Sequence, residues 1–570
     1  MTSSSLLKSL LLAFFVLIIF GCKQSQESKE ANSTSEKPNI LLIVADDLGY
    51  SDISPYGGNI ETPVLNQLSK EGVSFTSFYV QPTCSPTRSS LLTGNDNHVA
   101  GLGIMSEVDY PELNALNLPG YSGELSKQVV TIPEVLREND YHTYMVGKWH
   151  LGEGSGKDPY DRGFEETFIL GTGGGSHFND KKALSPLQHM DYTRNGKPVV
   201  LPEDFYSTTS YTDSIIKFID MNKSDNKPFF VYLSYTAVHD PLHAPEEYIE
   251  KYKGKFDMGW DSLWTQRLNN LKRLGIVPKD LNKFSKNPLI PRWESLSHEL
   301  KKDFARDMEV YAAMLDYMDM SIGRVFDYLK QNNLYDNTVI IFMSDNGANG
   351  ALATTYPGNG DGVYLNSFNN KMINRGLKNS YIEMGPGWAQ ASSSPFRFFK
   401  GFTAEGGIKV PLIIKLPGHQ NNAGQWNKSF VHVTDIFPTI LELSGAAYPK
   451  QFKGNEIHPY IGKSILPLLN SDNSLIKLSD GYGWELFEMK AYIKDNWKIL
   501  RLPLPMGTGN WELFNLETDP SETTDLSNQY PEIKEQLINA WNEYARKNEV
   551  YDHKGHFDSL YRKSYVPEED

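Results

Sequence analysis

Two acidic pairs, a lysine and two histidines follow predicted strands of this chain, and a cysteine close to an arginine precedes a predicted helix. Asp46-Asp47 closes the apolar run Asn39 to Val44, and Asp345-Asn346-Gly347 closes Thr338 to Met343. Each delivers two oxygen donors to one sheet edge. Carboxylate and amide oxygens without paired His or Cys suit Ca2+ or Mg2+ rather than Zn2+. Either pair alone also reads as turn or cap chemistry; two pairs with Cys84 between them in the chain point to a cation site. Cys84-Ser85-Pro86-Thr87-Arg88 leads into a helix predicted over Thr87 to Leu92. A helix N-terminus offers unpaired N–H groups to an anion, and Pro86 fits a first turn that needs no donor there. Arg88 lies four residues on and can reach back toward position 84. Lys148 and His150 follow the run Thr143 to Val146; two apart on extended backbone, they would face one side. His239 follows Phe229 to Ser234, and Lys400 precedes Glu405-Gly406-Gly407-Ile408. Each of these cations, taken singly, also reads as an ordinary surface or structural residue.

The elements that must hold these groups alternate. Strands are expected over Asn39 to Val44, Thr143 to Val146, Phe229 to Ser234, Thr338 to Met343 and Val410 to Leu416. Between Met308 and Lys330, apolar residues recur every three or four positions, the period of a one-faced helix. The pattern predicts an α/β fold: a large mixed, mostly parallel sheet flanked by helices, with ligands beyond the carboxyl ends of its strands. From about Gly454 the character changes. Lys490 to Leu502 and Trp511 to Leu516 read as strands and Pro531 to Lys547 as a helix, so 454–570 is expected to be a smaller α+β part following the catalytic part at 38–453. Gly171 to Gly175 lacks the Lys-Ser/Thr of a phosphate loop and reads as a flexible loop. His177, Trp149, Trp388 and the stretch Tyr356 to Tyr381 could line a pocket for the leaving group or serve as packing.

With 570 residues the chain can bury a large core, and a formal charge of −15 excludes nucleic acid as a partner. Lys8 and the apolar run Leu10 to Phe20, too short for an ordinary membrane span, mark residues 1–21 as an export signal. Gly21-Cys22 resembles the end of a bacterial lipobox. Cys22 would then be lipidated and residues 22–37, rich in Ser, Glu, Gln and Lys, would form a polar tether to a membrane. Plain cleavage and release is the alternative. An exported bacterial lipoprotein is expected, in the periplasm or at the outer membrane or cell surface, with no disulfide.

The run around Cys84, a C-x-P-x-R pattern continued by Leu91-Leu92-Thr93-Gly94, resembles the maturation signal of type I sulfatases of the alkaline phosphatase superfamily. Ala45 to Gly49, Gly147 to Gly152, Ser344 to Ala348, Glu405 to Ile408, Trp484 to Phe487 and Asn515 to Pro520 extend the resemblance over about residues 38 to 530. It is strongest toward bacterial arylsulfatases. The resemblance implies that Cys84 is oxidised to formylglycine by a formylglycine-generating or anaerobic sulfatase-maturing enzyme, and that its hydrated diol is the nucleophile. It implies one Ca2+ on Asp46, Asp47, Asp345, Asn346 and residue 84, and sulfate oxygens on Lys148, His239 and Lys400. Arg88 and His150 would orient the diol, Asp345 would help deprotonate it, and His239 would protonate the leaving alcohol. The second hydroxyl would then expel sulfate and restore the aldehyde, with no water attacking an ester. The implied substrate is a sulfated small molecule or oligosaccharide, carrying an aryl or carbohydrate sulfate. Two rivals stand beside this reading. One is a formylglycine-dependent phosphonate or phosphate ester hydrolase of the same superfamily. The other is a catalytically dead, lipid-anchored glycan-binding protein.

Overall fold

A computed structural model describes residues 37–105, 116–281, 287, 290–418, 422–470 and 481–552. The export signal, Cys22 and all of the tether but Lys37 lie outside the described residues. Among the described residues no helix is long and apolar enough to cross a membrane.

The sheet is built from runs that are apolar at every position. In β1 (Asn39–Ala45), Leu41, Ile43 and Ala45 belong to one hydrophobic cluster and Ile40, Leu42 and Val44 to another. A strand with two buried faces needs no polar alternation, which is why the run is continuous. β1 lies between β5 (Phe229–Ser234) and β6 (Thr338–Ser344), parallel to both. β3 (His142–Lys148) pairs parallel to β5 and to β4 (Glu166–Leu170). On the other side β7 (Lys409–Lys415) runs antiparallel to β6 and to β2 (Val73–Tyr79). With short outer strands the sheet counts eleven among the described residues and is mixed but mostly parallel, as expected.

Helices cover both faces. On one, α3 (His298–Gln331) packs Met308, Tyr311, Leu315, Met318 and Ile322 into the cluster that holds Leu41, together with α2 (Ser207–Asn222). Its N-terminus lies ten residues before the predicted start. Residues 298–307 are mainly polar; Leu300 and Phe304 lead at four-residue spacing into Met308, and Ser297 caps the helix by accepting from Leu300 N–H. On the other face, α1 (Cys84–Thr93) and α4 (Ile436–Ser444) supply Leu91, Leu92, Phe437 and Ile440 to the second cluster. α1 begins at Cys84 itself, three residues before the predicted start. Pro86 is third in the helix, where no intrahelical acceptor is required of it.

The C-terminal strands β8 (Tyr482–Leu486), β9 (Met489–Lys494), β10 (Trp497–Arg501) and β11 (Glu512–Asn515) form an antiparallel sheet backed by α5 (Pro531–Lys547). The predicted strand Lys490 to Leu502 is a hairpin, turned at Asp495 with φ 54°. Where this sheet meets the core, Lys498 is buried between two carboxylates, 3.0 Å from Glu405 and 2.7 Å from Glu522. Glu405 also accepts from Tyr79 Oη at 2.9 Å. Lys498→Met would leave two buried carboxylates short of a cation. It is expected to lower the unfolding free energy by about 3–5 kcal/mol in denaturant titration; a loss under about 1 kcal/mol would mean that the group behaves as a solvated surface pair.

Candidate active site

The carboxyl ends of β1, β3, β5 and β6 and the N-terminus of α1 converge on one buried group of charges. β1 passes into Asp46-Asp47, and Asp47 turns the chain with φ 63°. Its N–H donates to Asp345 Oδ1 at 3.1 Å, which fixes the two acidic loops to each other. Asn346 Nδ2 donates to Asp47 Oδ1 at 2.7 Å, and Ser344 Oγ accepts from Leu48 N–H at 3.0 Å. Gly347 can have no side chain, because a Cβ there would stand 1.9 Å from Gly406 O. Through that contact the Asp345 loop docks on the loop that carries Lys400, whose N–H donates to Ala348 O at 3.0 Å.

Each carboxylate faces a cation. Arg88 places Nε and Nη2 at 3.0 and 2.7 Å from Asp345 Oδ2, and Nη1 donates to Lys148 O at 3.0 Å and to Ser234 Oγ. Lys148 Nζ lies 2.8 and 3.0 Å from the Asp46 oxygens. Lys400 Nζ donates to Asp47 at 2.8 Å and lies 3.2 Å from His239 Nε2, itself 3.4 Å from Asp47 Oδ2. Cys84 Sγ sits in their midst, 3.4 Å from Asp46 Oδ1 and 3.7 Å from Asp47 Oδ1. Burial, and after it the Asp345 carboxylate, pushes the Cys84 thiol well above its usual range. Burial also opposes ionisation of Asp47 and Asp345, but the surrounding cations, His239 and Lys400 for one and Arg88 and Lys148 for the other, hold both below it.

The donors fit a hard divalent cation. Ligand atoms of Asp46, Asp47, Cys84 and His239 all lie within 4.8 Å of one another. Asn346 Oδ1 is buried without a hydrogen-bond partner, and a lone carbonyl oxygen among carboxylates suits an oxygen-seeking ion. Asp345 adjoins this cluster, with Oδ2 engaged by Arg88 and Oδ1 by the Asp47 N–H.

Asp46, Asp47, Cys84, Arg88, Lys148, His239, Asp345, Asn346 and Lys400 are therefore brought together by direct contacts. The contacts above do not include His150. β3 ends at Lys148 and His150 has φ 58°, so strand alternation does not carry it to the side of Lys148. Its ring is buried and its N–H donates to Gly171 O at 3.0 Å. Gly147, within β3, lies too close to β5 to carry a side chain: a Cβ there would lie 1.7 Å from Ser234 O. Trp149 and Trp388 are packing residues. Trp149 donates its indole N–H to Lys157 O, and Trp388 sits among Phe256, Trp260 and Trp293. His177 stands behind His239, with Nε2 3.1 Å from the His239 carbonyl; burial, then His243, lowers its pKa to about 3. The glycine loop is a wall of the site rather than a free excursion, because a Cβ on Gly174 would stand 3.1 Å from His239 Nδ1. Of the stretch 356–381, Tyr356 reaches the site through Asp240, while Phe368 and Tyr381 pack in a small cluster with Leu184 and Ala353. Sequence reasoning missed Ser234, Ser344, Asp240 and Asn349. For the serines a signal existed: each is the first polar residue ending an apolar strand.

Comparison with known proteins agrees with this architecture. The family model described as Sulfatase matches residues 38–446, and one described as N-sulphoglucosamine sulphohydrolase, C-terminal, matches 396–547. An uncharacterized sulfatase of Schizosaccharomyces pombe is 41% identical over 90% of this chain and 95% of its own length. The arylsulfatase of Klebsiella aerogenes is 39% identical over 75% of this chain and 91% of its own. Among solved structures, Ps i-CgsB in complex with k-i-k-neocarrahexaose superposes with a TM-score of 0.63 at 26% identity, covering 93% of this chain and 98% of that one. The mixed, mostly parallel sheet flanked by helices in this chain is consistent with an alkaline-phosphatase-like fold.

Proposed function

Since this chain belongs to the sulfatase family and is a sulfuric ester hydrolase, we propose that it removes sulfate from sulfated oligosaccharides outside the cytoplasm. It would do so with formylglycine at position 84 and one Ca2+. The observation that carries this reading is the placement of Cys84: at a helix N-terminus, 3.4 Å from Asp46, inside a buried set of three carboxylates and three cations. Neither turn chemistry nor an inert core thiol needs such a set.

Asp46, Asp47, Asp345 and Asn346 would hold the cation, which supplies Lewis-acid polarisation of the sulfate oxygens. The hydrated aldehyde supplies two hydroxyls on one carbon, one to attack sulfur and one to let sulfate leave. Sγ of Cys84 stands in for the hydroxyl that faces the acidic cluster. Lys148, His239 and Lys400 would bind sulfate oxygens and balance the charge that builds on them. Arg88, clamped between Asp345 and the Lys148 carbonyl, would hold the residue-84 hydroxyls together with His150. Asp345 takes the proton of the attacking hydroxyl. His239 Nε2 gives a proton to the leaving oxygen, with Lys400 beside it. His150 or Asp345 takes the proton of the second hydroxyl as sulfate departs.

The carbohydrate leaving group is proposed from the k-i-k-neocarrahexaose bound to the structural relative and from the expected export signal at residues 1–21. We assign the chemistry to 38–453, with 454–570 seating the Lys400 loop through Lys498 and Glu522. A formylglycine-generating or anaerobic sulfatase-maturing enzyme is the required partner. Sulfate release across aryl, alkyl and carbohydrate sulfates, beside a matching aryl phosphonate, tests the reading. Release from sulfated oligosaccharides is expected, and hydrolysis of the phosphonate alone would overturn it. Metabolic fatty-acid labelling that disappears in Cys22→Ser is expected for the anchor; unlabelled protein would leave a released enzyme.

A further inference from the structure

We propose that Asp240 and Tyr356 are positioning residues for His239, and that they decide how well the site expels a poor leaving alcohol. The inference rests on the sulfatase reading and on His239 as the proton donor within it.

His239 Nδ1 lies 2.6 Å from the Asp240 carbonyl oxygen. A carbonyl only accepts, so Nδ1 carries a proton and the ring is fixed in one sense. Nε2 is thereby left facing Lys400 and Asp47. The Asp240 carboxylate stands 3.2 Å from the same Nδ1. It is buried, and its direction comes from two donors on another segment: Asn349 Nδ2 at 2.7 Å and Tyr356 Oη at 3.1 and 3.2 Å from its two oxygens. Asn349 Nδ2 also lies 3.2 Å from Tyr356 Oη, so the three groups form a closed triangle. Asn349 follows Asn346 by three residues on the loop that ends β6, and Tyr356 begins the long glycine-rich stretch beyond it. The triangle thus ties the ring of His239 to the acidic loop on one side and to the 356–381 stretch on the other. Gly174 and the His177 contact to the His239 carbonyl close the remaining sides.

A slack His239 should matter only where the leaving oxygen needs a proton. 4-Nitrophenolate leaves as a stable anion, whereas phenolate depends on protonation in the transition state. Both esters carry the same sulfate and nearly the same ring. Tyr356→Phe removes one hydroxyl from a half-buried side chain. It is expected to lower kcat on phenyl sulfate about tenfold and on 4-nitrophenyl sulfate less than about threefold, with KM little changed on either. Asp240→Asn is expected to behave alike, and the double variant no worse than Asp240→Asn, because the two act in one chain. Should Asp240→Asn fail to fold, Tyr356→Phe carries the test alone. Equal losses on the two esters, or no loss on either, would overturn the assignment while leaving the sulfatase reading intact. If wild type cleaves only sulfated oligosaccharides, whose alkoxide also needs a proton, a loss under about threefold for Tyr356→Phe on them would overturn the assignment; sulfate release from none of these substrates would remove the sulfatase reading and this inference with it.

Discussion

Cys84→Ser is expected to abolish steady turnover of every sulfate ester while leaving the fold in place. The change swaps one buried small side chain for another of nearly equal size, so the contacts of α1 with its cluster through Leu91 and Leu92 are untouched. A serine hydroxyl there would still face Asp46 and the cations, and could accept a sulfuryl group. It has no second hydroxyl on the same carbon, so the ester can leave only by attack of water. The position is buried and its surroundings are occupied by ion pairs. Loss of about 10³-fold or more in kcat is therefore expected, with up to one sulfuryl group retained per chain by intact mass. Steady multiple turnover near the wild-type rate would remove the aldehyde from the mechanism. The wild-type peptide containing position 84 should correspondingly carry an aldehyde when expressed in a host able to make it; an unmodified thiol in an active enzyme would have the same force.

The residues that this experiment probes are legible in the amino-acid sequence, and the reason is physical. Strands buried on both faces leave unbroken apolar runs, so β1, β5 and β6 stand out, and the first polar residues after them mark the edge where ligands gather. What could not be read depends on contacts between distant segments. Asp240 is an ordinary residue beside a proline until Asn349 and Tyr356 close on it from more than a hundred residues away. Gly174 looks like one of several glycines in a loose loop, and the ring of His239 and the Leu184 side chain against it explain its size. The backbone at His150 could not be read for a local reason: alternation from Lys148 presumes extended backbone, and the chain leaves it at φ 58°. Trp149 and Trp388 read equally as pocket lining or packing, and burial inside the core decides for packing.

Removing divalent metal is expected to silence the enzyme without unfolding it, and the charge arrangement explains both halves of that outcome. In the chain alone, Asp46 is met by Lys148, Asp47 by Lys400 and Asp345 by Arg88. Three buried carboxylates balance three cations, Arg88 and Lys148 buried and Lys400 partly exposed, so the metal-free site has no uncompensated charge to drive it open. The same balance leaves no surplus with which to attract a sulfate ester. One divalent cation gives the site a surplus of two positive charges, enough for a monoanionic ester and for the charge that develops on residue 84 during attack. Dialysis against a chelator should thus lower kcat/KM by about 10²-fold or more while the circular dichroism spectrum persists. Returning Ca2+ should restore activity, and at about a hundredfold excess over its Kd should add about 3 kcal/mol of unfolding free energy. Zn2+ should restore little, because the described cluster offers mainly oxygen donors and one histidine already engaged by Lys400. Full activity in rigorously metal-free protein would detach these carboxylates from metal binding. Unfolding on chelation would show instead that the ion pairs alone do not hold the strand ends together.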